Sequence, residues 1–301
     1  MPTTVTRTVA SAGGDYTSLS AFEAGEQADI TSGTGNDTIV EARCETFTDT
    51  TRVDFAGWTM SATNYVRVFS VDDHGGINNG GSTTSYRLTG SFGGNSCITV
   101  NSGHYVRFEG LRLQNTSDSG TRSDITVTGI GGGGLCRVTR CMMFCNDFGM
   151  RILGNSLGPL TEIIVSHLNQ HKTAIFRDST GSITCYSSVL VGRVNNGSFT
   201  TDTVHITSAT GVRVFKNCYA HNATGNNAWS TNAVLTTCAS SDTSGSVGLQ
   251  NIAYDNTTFN STGTLDVHLV SGSSLIDAGT DTTGDAAPFN FTADVDDEVF
   301  G

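Results

Sequence analysis

The 301-residue chain is poor in lysine, proline and charge: it has two lysines, three prolines and 15% charged residues. The lysines, Lys172 and Lys216, are isolated, and the net charge is −12. Because neutralising phosphates requires grouped basic side chains, we do not expect binding to nucleic acid or to an anionic membrane. No apolar run is long enough to span a bilayer, so we do not expect membrane insertion either.

The N-terminal stretch, MPTTVTRTVASAGGDYTS, lacks the charged-then-apolar order of a secretory signal. From this we expect a protein that stays in a cell or leaves by a signal-free route such as lysis, unless the chain has been trimmed. Gly, Thr, Ser and Asn are abundant, and 37% apolar residues are enough to form a core. Low charge with many turn-forming residues is typical of an all-β chain of short strands.

An eight-residue template with apolar residues at positions 1, 3, 6 and 8 recurs through the centre of the chain. Seventeen of its twenty positions hold an apolar residue or Cys; the exceptions are Gln170, Ser188 and Asn217. The 1-3-6-8 spacing predicts two short strands, each alternating in and out, joined by a bend. The template fits five segments: Val106–Leu113, Cys136–Met143, Ile163–Gln170, Ile183–Leu190 and Val212–Tyr219.

A second series of short apolar segments falls between these. The two series alternate with a period of roughly 20–30 residues, which is typical of a solenoid in which each repeat is one turn. Stacked turns of this kind form a parallel β-helix. An antiparallel sandwich is the competing architecture, but it predicts tight two-residue hairpins, and Asn-Gly here falls mainly inside longer loops. The segments of the second series begin at Ile125, Met150, Ala174, Val204 and Val234.

Solenoids expose strand edges at both ends and must cover them. Residues 13–27 carry Tyr16, Leu19 and Phe22 at helical spacing, which predicts a short amphipathic capping helix. The acidic C-terminal residues lose the repeat and predict an irregular cap. We therefore expect one β-helix domain over 1–301, with an N-terminal cap at 1–35, coils at 36–270 and a C-terminal cap at 271–301.

Several motifs resemble those of known proteins. GGDYTSLSAFEAG resembles the N-terminal cap of right-handed parallel β-helix proteins, and GWTMSATNYVRVFS, YRLTG and HYVRFEGLRL are similar to uncharacterised β-helix proteins from phage and environmental sequences. SSLIDAGTD resembles their C-terminal end. The resemblance implies an all-β, single-stranded right-handed parallel β-helix of the pectate-lyase-like fold. Tailspikes, virion-surface proteins, adhesins, lyases and hydrolases share this fold, so it specifies function poorly.

Candidate chemistry is sparse. VDDHGG places Asp72, Asp73 and His74 together, a set capable of acid–base work, although the pattern favours a polar, Gly-rich connection between strands. Trp58 and Trp229 are expected to be exposed on loops and to stack on sugars. No cofactor is expected beyond a structural Ca²⁺. The candidate Ca²⁺ ligands, which also fit a solvated acidic tail, are Asp294, Asp296, Asp297 and Glu298.

The stretch GLCRVTRCMMFCND holds three of the eight cysteines, which suggests a metal site, a disulfide or core packing. Cys136 and Cys141 fall on template positions 1 and 6, and Cys185 on position 3, while Cys218 lies beside position 8. This placement favours core packing, since a buried Cys acts as a small hydrophobe. Cys145 lies past the strand and is expected to be the most exposed.

Two functional hypotheses follow. The first is a structural or adhesive protein of a phage virion surface (decoration, fibre or tailspike-like), a rigid scaffold that contacts other virion or surface subunits, glycans or copies of itself. Its expected location is the virion or extracellular surface. The alternative is a β-helix polysaccharide lyase or glycoside hydrolase. A complete residue set for either reaction is not found, which leaves enzymatic activity open.

Overall fold

The structure is a computed structural model that describes residues 2–31, 37–71, 85–117, 122–129, 133–145, 147–154, 160–164, 166–171, 173–179, 181–192, 202–223, 226–255, 257–261, 266–271, 273–275, 278–279 and 285. Its elements in chain order are β1 (Thr3–Val9), α1 (Leu19–Glu26), β2 (Thr38–Cys44), β3 (Thr48–Asp49), β4 (Val53–Phe55), β5 (Val66–Ser70), β6 (Arg87–Gly90), β7 (Ile98–Val100), β8 (Tyr105–Glu109), β9 (Arg112–Asn115), β10 (Ser123–Gly129), β11 (Leu135–Thr139), β12 (Met142–Cys145), β13 (Phe148–Gly154), β14 (Leu160–Ile164), β15 (His167–His171), β16 (Thr173–Ser179), β17 (Ile183–Tyr186), β18 (Val189–Gly192), β19 (Val204–Ile206), β20 (Arg213–Lys216), β21 (Tyr219–Asn222), β22 (Val234–Thr236), β23 (Ala239–Ser240), β24 (Phe259–Ser261) and β25 (Asp266–Leu269).

Three parallel sheets run the length of the coil. Sheet A has the order β1-β2-β5-β8-β11-β14-β17-β20-β22, sheet B has β23-β21-β18-β15-β12-β9-β6-β3, and sheet C has β19-β16-β13-β10-β7-β4. Each full turn supplies one strand to sheet A, then one to sheet B, then one to sheet C, as β8, β9 and β10 do. Every pair within these sheets is parallel. The predicted right-handed parallel β-helix is confirmed, and the antiparallel sandwich is excluded.

The eight-residue template corresponds to a sheet A strand, a bend and a sheet B strand. Its inward residues in β8 and β9, beginning with Val106 and Phe108, are fully buried. Position 5 is the bend, where φ is positive in one turn after another. Left-handed backbone is required at this position, and Gly or Asn adopts it at least cost. The bend residues are Gly110 (φ 66°), Arg140 (52°), Ser187 (48°), Asn217 (55°) and Thr237 (48°).

Two template segments are out of register. Ile163 pairs with Val138, so it occupies position 3, and the segment Ile163–Gln170 is misplaced by two residues. Ile183 pairs with Arg213, so the segment Val212–Tyr219 is misplaced by one. A two-residue shift keeps the same side chains inward and is invisible to an alternating pattern, whereas a one-residue shift reverses the faces. Two of the three template exceptions, Gln170 and Asn217, come from these errors.

The cysteines take part in a ladder at position 6. The backbone N–H of Leu111 donates to Sγ of Cys141 at 3.4 Å, and the N–H of Cys141 donates to Oγ of Ser166 at 3.2 Å. The N–H of Ser166 donates to Oγ of Ser188 at 3.2 Å, and the ladder continues to Cys218. The bend turns these N–H groups along the coil axis, where the thiol or hydroxyl of the next turn accepts them.

All eight cysteines lie in described residues, all are buried, and none is in a disulfide. The prediction that they pack in the core is confirmed, and burial raises the pKa of Cys141 to about 12. The prediction that Cys145 is exposed is wrong: only 3% of it is accessible, because it is the last residue of β12 and pairs with Asn115. Cys218 occupies position 6, two residues before position 8.

The N-terminal helix is confirmed as α1. The Ser18 hydroxyl accepts from the N–H of Ala21 at 3.0 Å and caps the helix, while Leu19 and Phe22 are fully buried against the first turns. Strand β1 already belongs to sheet A, so parallel pairing begins inside the predicted cap. It ends at β23, earlier than the predicted coil limit of 270, and β24 pairs with β25 antiparallel. Most of 271–301 lies outside the described residues. In the described part of the chain, no helix is long and apolar enough to cross a membrane.

Candidate functional site

Two groups of predicted site residues lie outside the described residues. They are the acid–base candidates Asp72, Asp73 and His74, and the Ca²⁺ candidates Asp294, Asp296, Asp297 and Glu298. Both remain predictions. Among the residues that the structure does describe, no group of three or more His, Cys, Asp or Glu side chains is placed to hold a metal ion.

The predicted exposure of the two tryptophans is wrong. Trp58 is 6% accessible and packs against Phe22 of α1, with ring centroids 6.4 Å apart. Trp229 is 2% accessible, and it forms an isolated parallel β-bridge with Val204 of sheet C. Val234, which the second series assigned to this position, belongs instead to sheet A. Neither indole face is available to stack on a sugar.

The outer faces of sheets A and B differ in how far they are covered. On sheet B the outward side chains of Met142, Phe144 and Tyr219 are buried, with at most 4% accessible, whereas those of Arg87 and Arg112 on earlier turns are partly exposed. On sheet A the outward side chains of β5, β8 and β11, among them Arg107, are partly exposed, and so is Tyr65, which directly precedes β5. The outer face of sheet A over β5, β8 and β11 therefore presents a continuous set of charged and aromatic groups to solvent.

A charged row runs across the middle of this face. Register places five residues side by side on adjacent turns, with neighbouring strands about 4.8 Å apart. We call this set the central row: Glu41, Arg67, Arg107, Arg137 and Glu162. Sequence reasoning missed it, although a signal was present, since an Arg follows position 1 in VRF and CRV, and the VRV of β5 repeats the pattern.

Ion pairs hold the outer arginines of the central row. Arg67 contacts Glu41 at 3.0 Å and Glu109 at 2.5 Å, and its hydrogen bond to Glu109 is the largest cause of its raised pKa. Arg137 contacts Glu162 at 2.6 Å. These pairs fix the guanidinium orientations, since a fork of N–H donors matches a carboxylate edge.

Aromatic rings flank the row. The guanidinium carbon of Arg107 lies 3.5 Å from the ring centroid of Tyr65, and that of Arg67 lies 4.4 Å from the centroid of Phe69. Tyr105 lies beside Leu135 at the same edge. Flat rings beside forked hydrogen-bond donors suit a ligand that has both C–H faces and oxygen acceptors.

The fold and the outer face of sheet A together define a parallel β-helix with a partly exposed sheet that carries arginines and aromatic rings. No protein-family model matches the chain, and no curated protein sequence matches it. Two solved structures of the pectin methylesterase from Aspergillus niger align with it at 10% identity. The penultimately deglycosylated form aligns over 77% of this chain and 82% of its own (TM-score 0.37), and the deglycosylated form over 80% and 86% (TM-score 0.38). At this identity and TM-score, the likeness carries no argument about ligand or activity.

Proposed function

We propose that this protein is a β-helical scaffold that binds polysaccharide along the outer face of sheet A. The observation that carries the proposal is the row of guanidinium groups and aromatic rings that lie side by side, partly exposed, on the outer face of sheet A. Sugar rings present an apolar C–H face and a rim of hydroxyls, which match an aromatic ring and an arginine fork respectively. Turns stacked about 4.8 Å apart repeat these groups along one direction, as an extended chain ligand requires.

The virion-surface location and the contacts with other subunits belong to the same proposal. Their support is the resemblance of the sequence motifs to phage and environmental β-helix proteins, together with the stiffness of a continuous coil. Mass spectrometry of purified particles tests them: many copies of this chain per particle would support the location, and its absence from particles would remove it.

Polysaccharide binding is tested with a panel of neutral and acidic polymers in affinity electrophoresis. We expect retardation by at least one polymer, weakened roughly 3–10-fold by Tyr65→Ala, which removes a ring of the face. Phe92→Ala is the matched control, because Phe92 follows β6 of sheet B and its ring lies beside Gly90 of that strand. Absence of binding to every polymer, or equal losses in both variants, would contradict the proposal.

The same incubations decide between binding and the enzymatic alternative. Reducing ends and unsaturated products are assayed with and without Ca²⁺. Binding without turnover is expected for a scaffold, whereas clear turnover would replace it with the lyase or hydrolase hypothesis.

A further inference from the structure

Arg107 differs from its neighbours in the central row. Arg67 contacts two carboxylates and Arg137 contacts one, but Arg107, which lies between them, has no carboxylate within ion-pair distance among the described residues. Its Nε is buried and makes no hydrogen bond. The central guanidinium of the row is thus the one whose donors are not engaged.

The surroundings hold Arg107 in place without neutralising it. One face of its guanidinium lies on the ring of Tyr65 at 3.5 Å, which fixes the plane of the group. Two further arginines flank it in register, and the three glutamates of this patch, Glu41, Glu109 and Glu162, form ion pairs with those two arginines and not with Arg107.

Burial makes this position costly for an unpaired cation. Desolvation is the largest cause of the lowered pKa of Arg107, and repulsion from Arg137 adds to it, while Glu109 and Glu162 only partly compensate. The group nevertheless stays charged at neutral pH, because an arginine pKa lies far above that range. An anion that reached it would regain the solvation that folding removes.

We propose that Arg107 is the recognition point for the carboxylate of an acidic sugar, so that the polymer bound on sheet A is a uronate-containing polysaccharide rather than a neutral one. This inference rests on the proposed function. A planar carboxylate matches the edge of a guanidinium whose face is already stacked, and it accepts two parallel N–H groups. A neutral hydroxyl would leave the central positive charge uncompensated.

The test compares polygalacturonate with the same polymer after chemical reduction of its carboxyl groups. Titration calorimetry is run on the wild type, Arg107→Gln and Arg107→Lys. We expect the wild type to bind polygalacturonate about 10–100-fold more tightly than the reduced polymer, as charge-assisted hydrogen bonds imply. Arg107→Gln should remove this preference, and Arg107→Lys should retain part of it through the charge alone.

The matched control is Arg52→Gln, because Arg52 is an exposed arginine that pairs with Asp54 and lies outside sheet A. It should bind both polymers as the wild type does. Circular dichroism checks that each variant is folded, which we expect because Arg107 makes no ion pair with another described residue and its Nε makes no hydrogen bond. Equal wild-type affinity for both polymers, or an unchanged preference in Arg107→Gln, would overturn the inference and leave the proposed function standing. Binding of no polymer in the wider panel would remove the proposed function as well.

Discussion

Arg177 offers a direct test of what holds the coil together. It is fully buried in β16 and occupies an inward column of sheet C between Ile152 and Ile206. Its guanidinium donates to the backbone carbonyls of Gly181, Ser208 (2.9 Å) and Thr210. Burial, followed by repulsion from Arg213, lowers its pKa to about 10, so it remains charged at neutral pH.

Arg177→Met replaces the guanidinium with a long, apolar side chain and so removes all three hydrogen bonds. The carbonyl of exposed Thr210 can turn to water, whereas that of buried Gly181 cannot, and an unsatisfied buried acceptor costs about 1–3 kcal/mol. Loss of the charge also relieves a desolvation cost, which offsets part of the damage. We expect the free energy of unfolding to fall by roughly 2–4 kcal/mol.

Urea unfolding followed by far-ultraviolet circular dichroism measures this loss. Amide hydrogen exchange should show protection falling first around Ser208 and Thr210, which the guanidinium ties to the preceding turn. Arg151→Met is the matched control, because Arg151 points outward from the same sheet, and its effect should stay below about 0.5 kcal/mol. An Arg177→Met variant as stable as the wild type would refute the reasoning, since desolvation would then outweigh the three hydrogen bonds.

Three further predictions concern buried groups. Desolvation raises the pKa of Asp124 well above its ordinary value, so the wild type should lose stability as pH rises from about 4. Asp124→Asn should flatten this pH dependence in thermal melts at pH 4.5–8 and should be more stable than the wild type at the upper end of that range. An unchanged slope would contradict the prediction. Cys141→Ser preserves the acceptor for the N–H of Leu111 and should lower the free energy of unfolding by less than about 1 kcal/mol, whereas Cys141→Ala should lower it by roughly 1–3 kcal/mol in urea unfolding. Equal losses in the two variants would argue against the hydrogen-bond ladder. Fluorescence of Trp58 and Trp229 should be blue-shifted and resist iodide quenching, and a red-shifted, quenchable emission would show that they are exposed.

The inward-facing core residues of this fold could be predicted from sequence because every turn of the coil needs apolar side chains at the same inward positions. Val106, Phe108, Cys136 and Val138 fill equivalent core positions, and this repetition shows in the alternating pattern. Register was harder to predict, because nothing in an alternating stretch distinguishes a shift of two residues. Trp229 was misassigned for a related reason: it replaces a strand with a single bridge, so no short apolar segment marks its position.

The outward-facing side chains could not be predicted in the same way, because they contact solvent or a ligand and are not constrained by packing in the core. Arg67, Arg107 and Arg137 recur in register, yet only their contacts in the folded structure distinguish the two that form ion pairs from the one that does not. The tripeptides VRF and CRV contain the arginines but say nothing about Glu109 or Glu162, which lie on other strands or turns.

Arg107 and Arg177 therefore make opposite predictions for the same kind of substitution. Arg177 points inward and every donor group it uses meets a carbonyl of its own chain, so its loss should lower stability. Arg107 points outward and makes no such bond, so Arg107→Gln should leave the free energy of unfolding within about 0.5 kcal/mol of the wild-type value while it weakens uronate binding. If Arg107→Gln instead destabilised the coil by as much as Arg177→Met, its stacking on Tyr65 would be structural, and the carboxylate site would lose its physical basis.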